Sequence, residues 1–219
     1  VGQTTLGLFP ASMQISTVTG LLYCVNFNLH GEMKPSSVSI VDPETMTEIK
    51  RITTGTMPHG SRISSDGKKQ YSVSMMSSEL YEIDAVNLNL SSKLNLEEMM
   101  KMGEPINKKM KMGKSMDKKM GMDKSETHKM TTDMKKMNHS KVKPTWVIPH
   151  PSENIAYIAG NGSNEIIEVD LLNWKITNRI KTGKGPYNVE ISPNGKFLIA
   201  TLKREGSTAI WDLKNEFNS

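Results

Sequence analysis

Three stretches of this chain can be laid over one another without a gap, and that register restricts the fold more than any bulk property. Residues 58–84 read PHGSRISSDGKKQYSVSMMSSELYEID, residues 144–170 read PTWVIPHPSENIAYIAGNGSNEIIEVD, and residues 186–212 read PYNVEISPNGKFLIATLKREGSTAIWD. Each opens on proline and closes on aspartate 26 positions later. An extended stretch leads to a turn at Asp66-Gly67, Ser152-Glu153 or Asn194-Gly195, and a second apolar stretch follows around Tyr71, Tyr157 or Leu198. A polar loop and a third stretch ending in Asp complete the unit. Glycine behind Asp or Asn accepts the positive φ of a two-residue hairpin, so these turns join antiparallel strands. A fourth copy, residues 10–42, is six residues longer, with the excess in FNLHGEMKP. After Asp, the stretches 47–55, 88–96 and 175–183 each supply a further strand. Four short strands joined by tight turns, recurring along the chain, make a propeller blade. The expected fold is all-β: a β-propeller of four-stranded antiparallel blades, four units present, the last without its fourth strand.

The spacing between units exposes an insertion. Pro10 to Pro58 is 48 positions and Pro144 to Pro186 is 42, but Pro58 to Pro144 is 86. The excess of 44 matches a 45-residue tract, 97–141, between the last strand of one blade and the first strand of the next. The expected organisation is blades over 1–96, an insertion over 97–141, and blades over 142–219. The net charge of +5 belongs to the insertion, which holds 12 Lys against 7 Asp or Glu, while the rest is balanced at 16 and 16. That tract has no Arg and no aromatic residue to stack on a base, which argues against nucleic acid as a partner. No run of eighteen apolar residues is present, so no membrane-spanning helix is expected.

The residues PHGSRISSDGKKQYSVS and PYNVEISPNGKFLIATL resemble the YVTN-type β-propeller repeat, with its Pro-x-Gly start, Asp-Gly-Lys turn and apolar second strand. The resemblance covers about 10–96 and 142–214 and departs from the pattern at Cys24 and at HPSEN, residues 150–154. It implies an extracytoplasmic location, periplasmic or extracellular; and because four units are few for a closed ring, the chain is expected to be part of a propeller of about seven blades, with closure through a second copy as the alternative. With no leader before Val1, the chain is expected to be a processed protein or a piece of a longer one. The family hosts binding proteins and lactonase-like enzymes, so it speaks to fold more than to activity. It also implies that fourth-to-first connections and second-to-third loops share one face, the face at which the channel-lining first strands begin.

That face collects soft ligands. The insertion carries Met-x-Met pairs every ten residues, Met100/Met102, Met110/Met112 and Met120/Met122, together with Met116, His128, Met130, Met134, Met137 and His139. Met57 and His59 flank Pro58, Met75 and Met76 close a second strand, and His30 and Met33 lie in the lengthened loop. Thioether sulfur is soft and neutral and favours Cu(I) over harder ions, while imidazole accommodates Cu(II). In an extended chain, residues i and i+2 share a side, so one ion can take both sulfurs of a Met-x-Met pair. These 18 residues are the candidate copper ligands, with copper ions and a second copper-handling protein as the expected partners. Composition also predicts that 97–141 lacks fixed structure without metal, since its apolar content is almost all methionine.

Other readings stay open. Met112, Met116 and Met120 follow helical spacing, as do Met130, Met134 and Met137, so the tract could present an amphipathic face to a partner. It could also absorb oxidant as sulfoxide. No nucleophile elbow, zinc-protease helix, phosphate loop or haem site is present, and the first strands offer Ala11, His59, Thr145 and Tyr187 where a lactonase-like site needs carboxylates. The expected function is copper binding for sequestration or delivery. A copper-dependent oxidoreductase using His59, or a protein-interaction scaffold, are the alternatives. Cys24 is expected to be a buried strand residue, His150 a loop histidine, and Trp146 and Trp174 packing residues between blades.

Overall fold

The computed structural model describes residues 2–97 and 140–214, which hold fifteen strands and no helix. Blade 1 consists of β1 (Pro10–Ile15), β2 (Leu22–Asn26), β3 (Pro35–Asp42) and β4 (Thr47–Thr56). Blade 2 has β5 (Pro58–Ile63), β6 (Lys69–Ser74), β7 (Glu79–Asp84) and β8 (Asn89–Asn95). Blade 3 has β9 (Pro144–Pro149), β10 (Ile155–Gly160), β11 (Glu165–Asp170) and β12 (Lys175–Lys181). Blade 4 has β13 (Pro186–Ile191), β14 (Phe197–Leu202) and β15 (Ser207–Asp212). Each blade is one antiparallel sheet with its strands in chain order. The first strands lie side by side, β5 between β1 and β9, and β13 against β9. These are the four propeller blades that the repeat predicts.

Strand alternation makes the inter-blade cores. In β10, Ala156 and Ile158 pack with Tyr71, Val73 and Leu80 of blade 2, whereas Tyr157 and Ala159 pack with Val189 and Leu198 of blade 4. Between blades 1 and 2, Tyr23, Val25, Val38 and Ile40 meet Ile63 and Ile83. Each such aliphatic side chain, buried, contributes roughly 1.5–3 kcal/mol, so these seams hold the blades together. Trp146 and Trp174 pack against two of these cores, as expected. Cys24 is buried in β2, and burial pushes its thiol pKa up. It is a buried strand residue, as expected.

The recurring aspartate acts locally. Asp84 Oδ1 accepts hydrogen bonds from the backbone N–H groups of Val86 and Asn87, both at 2.8 Å. Asp170 holds Leu172 and Asn173 in the same way, at 2.8 and 3.0 Å. Each pins the turn into the fourth strand. The face on which these turns lie is the exit face, and the face at which first strands begin is the entry face.

A second recurring device ties blades together on the exit face. Ser16 Oγ donates to Gly67 O in the hairpin turn of blade 2 (2.6 Å), and Ser65 Oγ donates to Pro151 O of blade 3 (2.8 Å). His150, in the place of Ser16, bonds through Nε2 to Gly195 O of blade 4 (3.3 Å). Its Nδ1 accepts from the backbone N–H groups of Ser152 (3.2 Å) and Glu153 (3.0 Å). His150 is therefore more than the loop histidine expected: it is 7% exposed and latches two blades. The two accepted bonds leave the ring proton on Nε2, where Gly195 O receives it.

Candidate functional site

The entry face begins with backbone geometry. The residue before each strand-opening proline is left-handed: Phe9 (φ 55°), Met57 (φ 54°), Lys143 (φ 47°) and Gly185 (φ 70°). This kink turns the carbonyl of each toward the adjacent second-to-third loop. Phe27 N donates to Phe9 O (2.9 Å), Met75 N to Met57 O (2.9 Å), Asn161 N to Lys143 O (3.2 Å) and Lys203 N to Gly185 O (2.8 Å). Met76 N also donates to Thr56 O (3.1 Å). Met57, Met75 and Met76 are thereby brought together, all three half-buried. His30 and Met33 stand in the exposed second-to-third loop of blade 1.

The ends of the insertion meet on this face. Ser78 Oγ contacts Ser140 Oγ and donates to Glu97 Oε1 (3.0 Å), and Lys141 N donates to the same Glu97 oxygen (2.7 Å). Leu96 N donates to Ser78 O (2.7 Å), and Arg179, held by the buried Glu165 at 2.7 Å, reaches Leu96 O. Residues 44 apart in sequence form a closed neck, seated on the loop that carries Met75 and Met76. The candidate ligands Met100, Met102, Met110, Met112, Met116, Met120, Met122, His128, Met130, Met134, Met137 and His139 lie outside the described residues, as does the expectation about fixed structure over most of 97–141.

His59 sits at the channel end of the face, half-buried in an aromatic surround. Its ring meets Phe27 (centroids 4.8 Å apart), Tyr187 (5.3 Å) and Trp146 (6.1 Å), all edge-on. Phe27 meets Phe9 at 6.0 Å and Phe9 meets His30 at 5.8 Å, so edge contacts run from His30 to His59. His59 Nε2 and Tyr187 OH are hydrogen-bonded at 2.9 Å. Burial holds the His59 pKa below its ordinary value, a backbone contact with Thr145 opposes this, and the nearby Lys203 ammonium adds to it. The imidazole is therefore neutral at pH 7, the form a metal takes, but one ring nitrogen is already engaged by Tyr187.

Deeper in the channel wall, Arg62 pairs with Glu190 and lies 4.9 Å over the Trp146 ring. Both His59–Tyr187 and Arg62–Glu190 join β5 to β13 across the intervening β9. Residues 128 apart make each contact, and no local sequence signal announces them. Among the described residues, no three His, Cys, Asp or Glu side chains converge on a point that could hold a metal ion. Of the candidate methionines among the described residues, Met57, Met75 and Met76 are joined through backbone bonds, and Met33 stands apart in the exposed loop of blade 1.

Comparison with known proteins agrees with the sheets. No curated protein matches the sequence. Among solved structures, hydrazine synthase of Kuenenia stuttgartiensis superposes with a TM-score of 0.66 at 20% identity, over 97% of this chain and 48% of that one. At that identity the likeness concerns the fold, and the chain spans about half the length of that structure. A family profile described as YNCE-like β-propeller matches residues 28–217, from the first blade's long loop to the end of the fourth unit. The chain belongs to the YNCE-like β-propeller family.

Proposed function

We propose that this protein binds copper on its entry face, through the Met/His-rich insertion together with Met57, Met75 and Met76, for sequestration or delivery outside the cytoplasm. One observation supports the reading: the neck of the insertion rests on Ser78, two positions beyond Met76, while Met75 is bonded to Met57. Methionines distant in sequence thus share a surface with both ends of the tract. Thioethers bind Cu(I) without losing a proton, so uptake through methionine is insensitive to mild acid, unlike uptake through histidine or cysteine. Several weak two-sulfur sites in series allow an ion to pass from one to the next and on to a partner with its own copper site. His30 and Met33 extend the face, and His59 marks its channel edge.

The test is an anaerobic Cu(I) titration against a colorimetric chelator. The intact chain is compared with a chain in which 98–139 is replaced by a short glycine linker and with a Met57→Leu/Met75→Leu/Met76→Leu variant. Loss of most chelator competition on excision, with a smaller loss in the triple variant, supports the reading. Equal competition by all three proteins, or by none, ends it. A single equivalent that survives excision and vanishes in His59→Ala would instead favour a defined centre at the channel.

A further inference from the structure

Outside 97–141 the sequence balances 16 basic against 16 acidic residues; the exit-face turns mix both signs, with Lys68, Lys69, Lys175, Lys196 and Lys214 beside their carboxylates, whereas the entry face of blades 3 and 4 is mainly cationic. The four aspartates that end the third strands, Asp42, Asp84, Asp170 and Asp212, turn toward the exit face, and Asp66 and Glu153 join them in the hairpin turns. On the entry face of blades 3 and 4 stand Lys141, Lys143, Lys181, Lys184, Lys203 and Arg204. Three carboxylates lie among them, and the first, Glu97, accepts from the backbone N–H of Lys141 (2.7 Å). Glu165 is buried and taken up by Arg179 (2.7 Å) and Lys181 (3.4 Å), and Glu205 accepts from the backbone N–H of Lys184 (2.8 Å). Among the described residues, the side chains of Lys141, Lys143, Lys184, Lys203 and Arg204 have no carboxylate partner.

These cations stand on one stitched platform. Gly162 N donates to Val142 O (2.8 Å), joining the strand entry at 141–143 to the loop 161–164. Gly185 N donates to Asn164 Oδ1 (3.0 Å), joining that loop to 182–185. The Arg204 guanidinium closes the set on Asn161 O (2.9 Å) and Asn164 Oδ1 (2.6 Å). Backbone, Asn164 and Arg204 bonds hold the loops, so the ammonium groups of Lys141, Lys143 and Lys184 take no part in ordering the platform.

We infer that this platform docks the acidic face of a protein partner. Five of the six charges are lysines, compact point charges that suit clustered carboxylates. The platform carries none of the exposed large hydrophobic side chains of the described residues, which a membrane-inserting surface needs. Its one aromatic residue, Tyr187, has Lys203 Nζ 4.6 Å from its ring centre and is hydrogen-bonded to His59, and a lone ring is a small platform for stacked bases. Charge of one sign on one face orients an encounter and raises its rate more than it deepens affinity. The inference is independent of copper, since none of these residues is a candidate metal ligand.

The experiment uses the full chain and a polyglutamate peptide as probe. Lys141→Glu/Lys184→Glu/Lys203→Glu is compared with Lys50→Glu/Lys68→Glu/Lys175→Glu, which changes net charge equally on exposed positions elsewhere. A Gln version of the platform triple guards against misfolding by charge reversal. The platform triple is expected to weaken peptide binding roughly tenfold, the Gln version less, and the second triple under about twofold. Equal losses in both triples would reduce the effect to net charge and overturn the proposal. So would a peptide that does not bind. So would platform-dependent binding of phosphatidylserine vesicles or single-stranded oligothymidine in place of the peptide.

Discussion

Replacing His150 tests whether the exit-face latch holds the blades together. In His150→Ala the donor to Gly195 O is lost along with the acceptor for Ser152 N and Glu153 N. Ser152 and Glu153 are exposed, so their N–H groups regain water and contribute little to the loss. The Gly195 carbonyl bond accounts for about 1 kcal/mol. The void left by a ring that is 7% exposed adds roughly 1–2 kcal/mol. The expected destabilisation is about 2–3 kcal/mol, or roughly 5–10 °C in melting temperature for a chain of this size. His150→Asn keeps an acceptor near the Nδ1 position but cannot reach Gly195, and should lose about half as much. Urea unfolding followed by tryptophan fluorescence reads the right place, because Trp146 and Trp211 flank the core between blades 3 and 4. An alanine variant within about 0.5 kcal/mol of the parent would refute the latch. An Asn variant as unstable as Ala would show that filling part of the void recovers nothing.

Three further outcomes are expected. His59 has a folded pKa below its ordinary 6.5, so its contribution is complete above that value and is lost as pH falls toward the folded pKa; the urea midpoint should decline over that window, and His59→Gln should flatten the decline. Cys24 is 3% exposed with a raised thiol pKa; alkylation by iodoacetamide should follow global unfolding, and rapid labelling of the native protein would show that β2 opens locally. The Arg62–Glu190 pair has a carboxylate that is 46% exposed, so a double-mutant cycle with alanine should give a coupling under about 1 kcal/mol; a larger value would mean that the channel shields the pair from water.

The blades were legible because their signals are local or periodic. Asp84 reaches only two and three residues ahead, and Tyr71 and Ser72 face opposite sides by strand alternation, so spacing alone finds both. A 44-residue excess in a regular repeat likewise gives the expectation of an insertion over 97–141. What escaped were contacts made between blades. HPSEN reads as an irregularity in one turn, yet His150 occupies the serine position of the other blades and spans to Gly195, 45 residues on. Tyr187 reads as one more strand aromatic, yet its hydroxyl meets His59 across a blade. Neither bond has a sequence spacing that repeats. The methionines of 98–139 lie outside the described residues, so that part of the candidate site rests on chemistry and pattern.

Charge illustrates the same limit with a functional consequence. A balance of 16 basic and 16 acidic residues reads as an unremarkable surface. In a propeller, however, every third strand ends on the exit face, so an aspartate required there for turn capping places four negative charges on that side whatever else the sequence does. Lysines such as Lys68, Lys175 and Lys196 stand beside them on that face, while the entry-face loops of blades 3 and 4 carry Lys141, Lys143, Lys184 and Lys203 with few carboxylates. A substitution that neutralises Asp170 or Asp84 alters the turn it holds and also the field that an approaching anionic partner meets. Long-range steering should weaken with added salt and local capping should not, because a partner several Debye lengths away is screened while a 2.8 Å hydrogen bond is not.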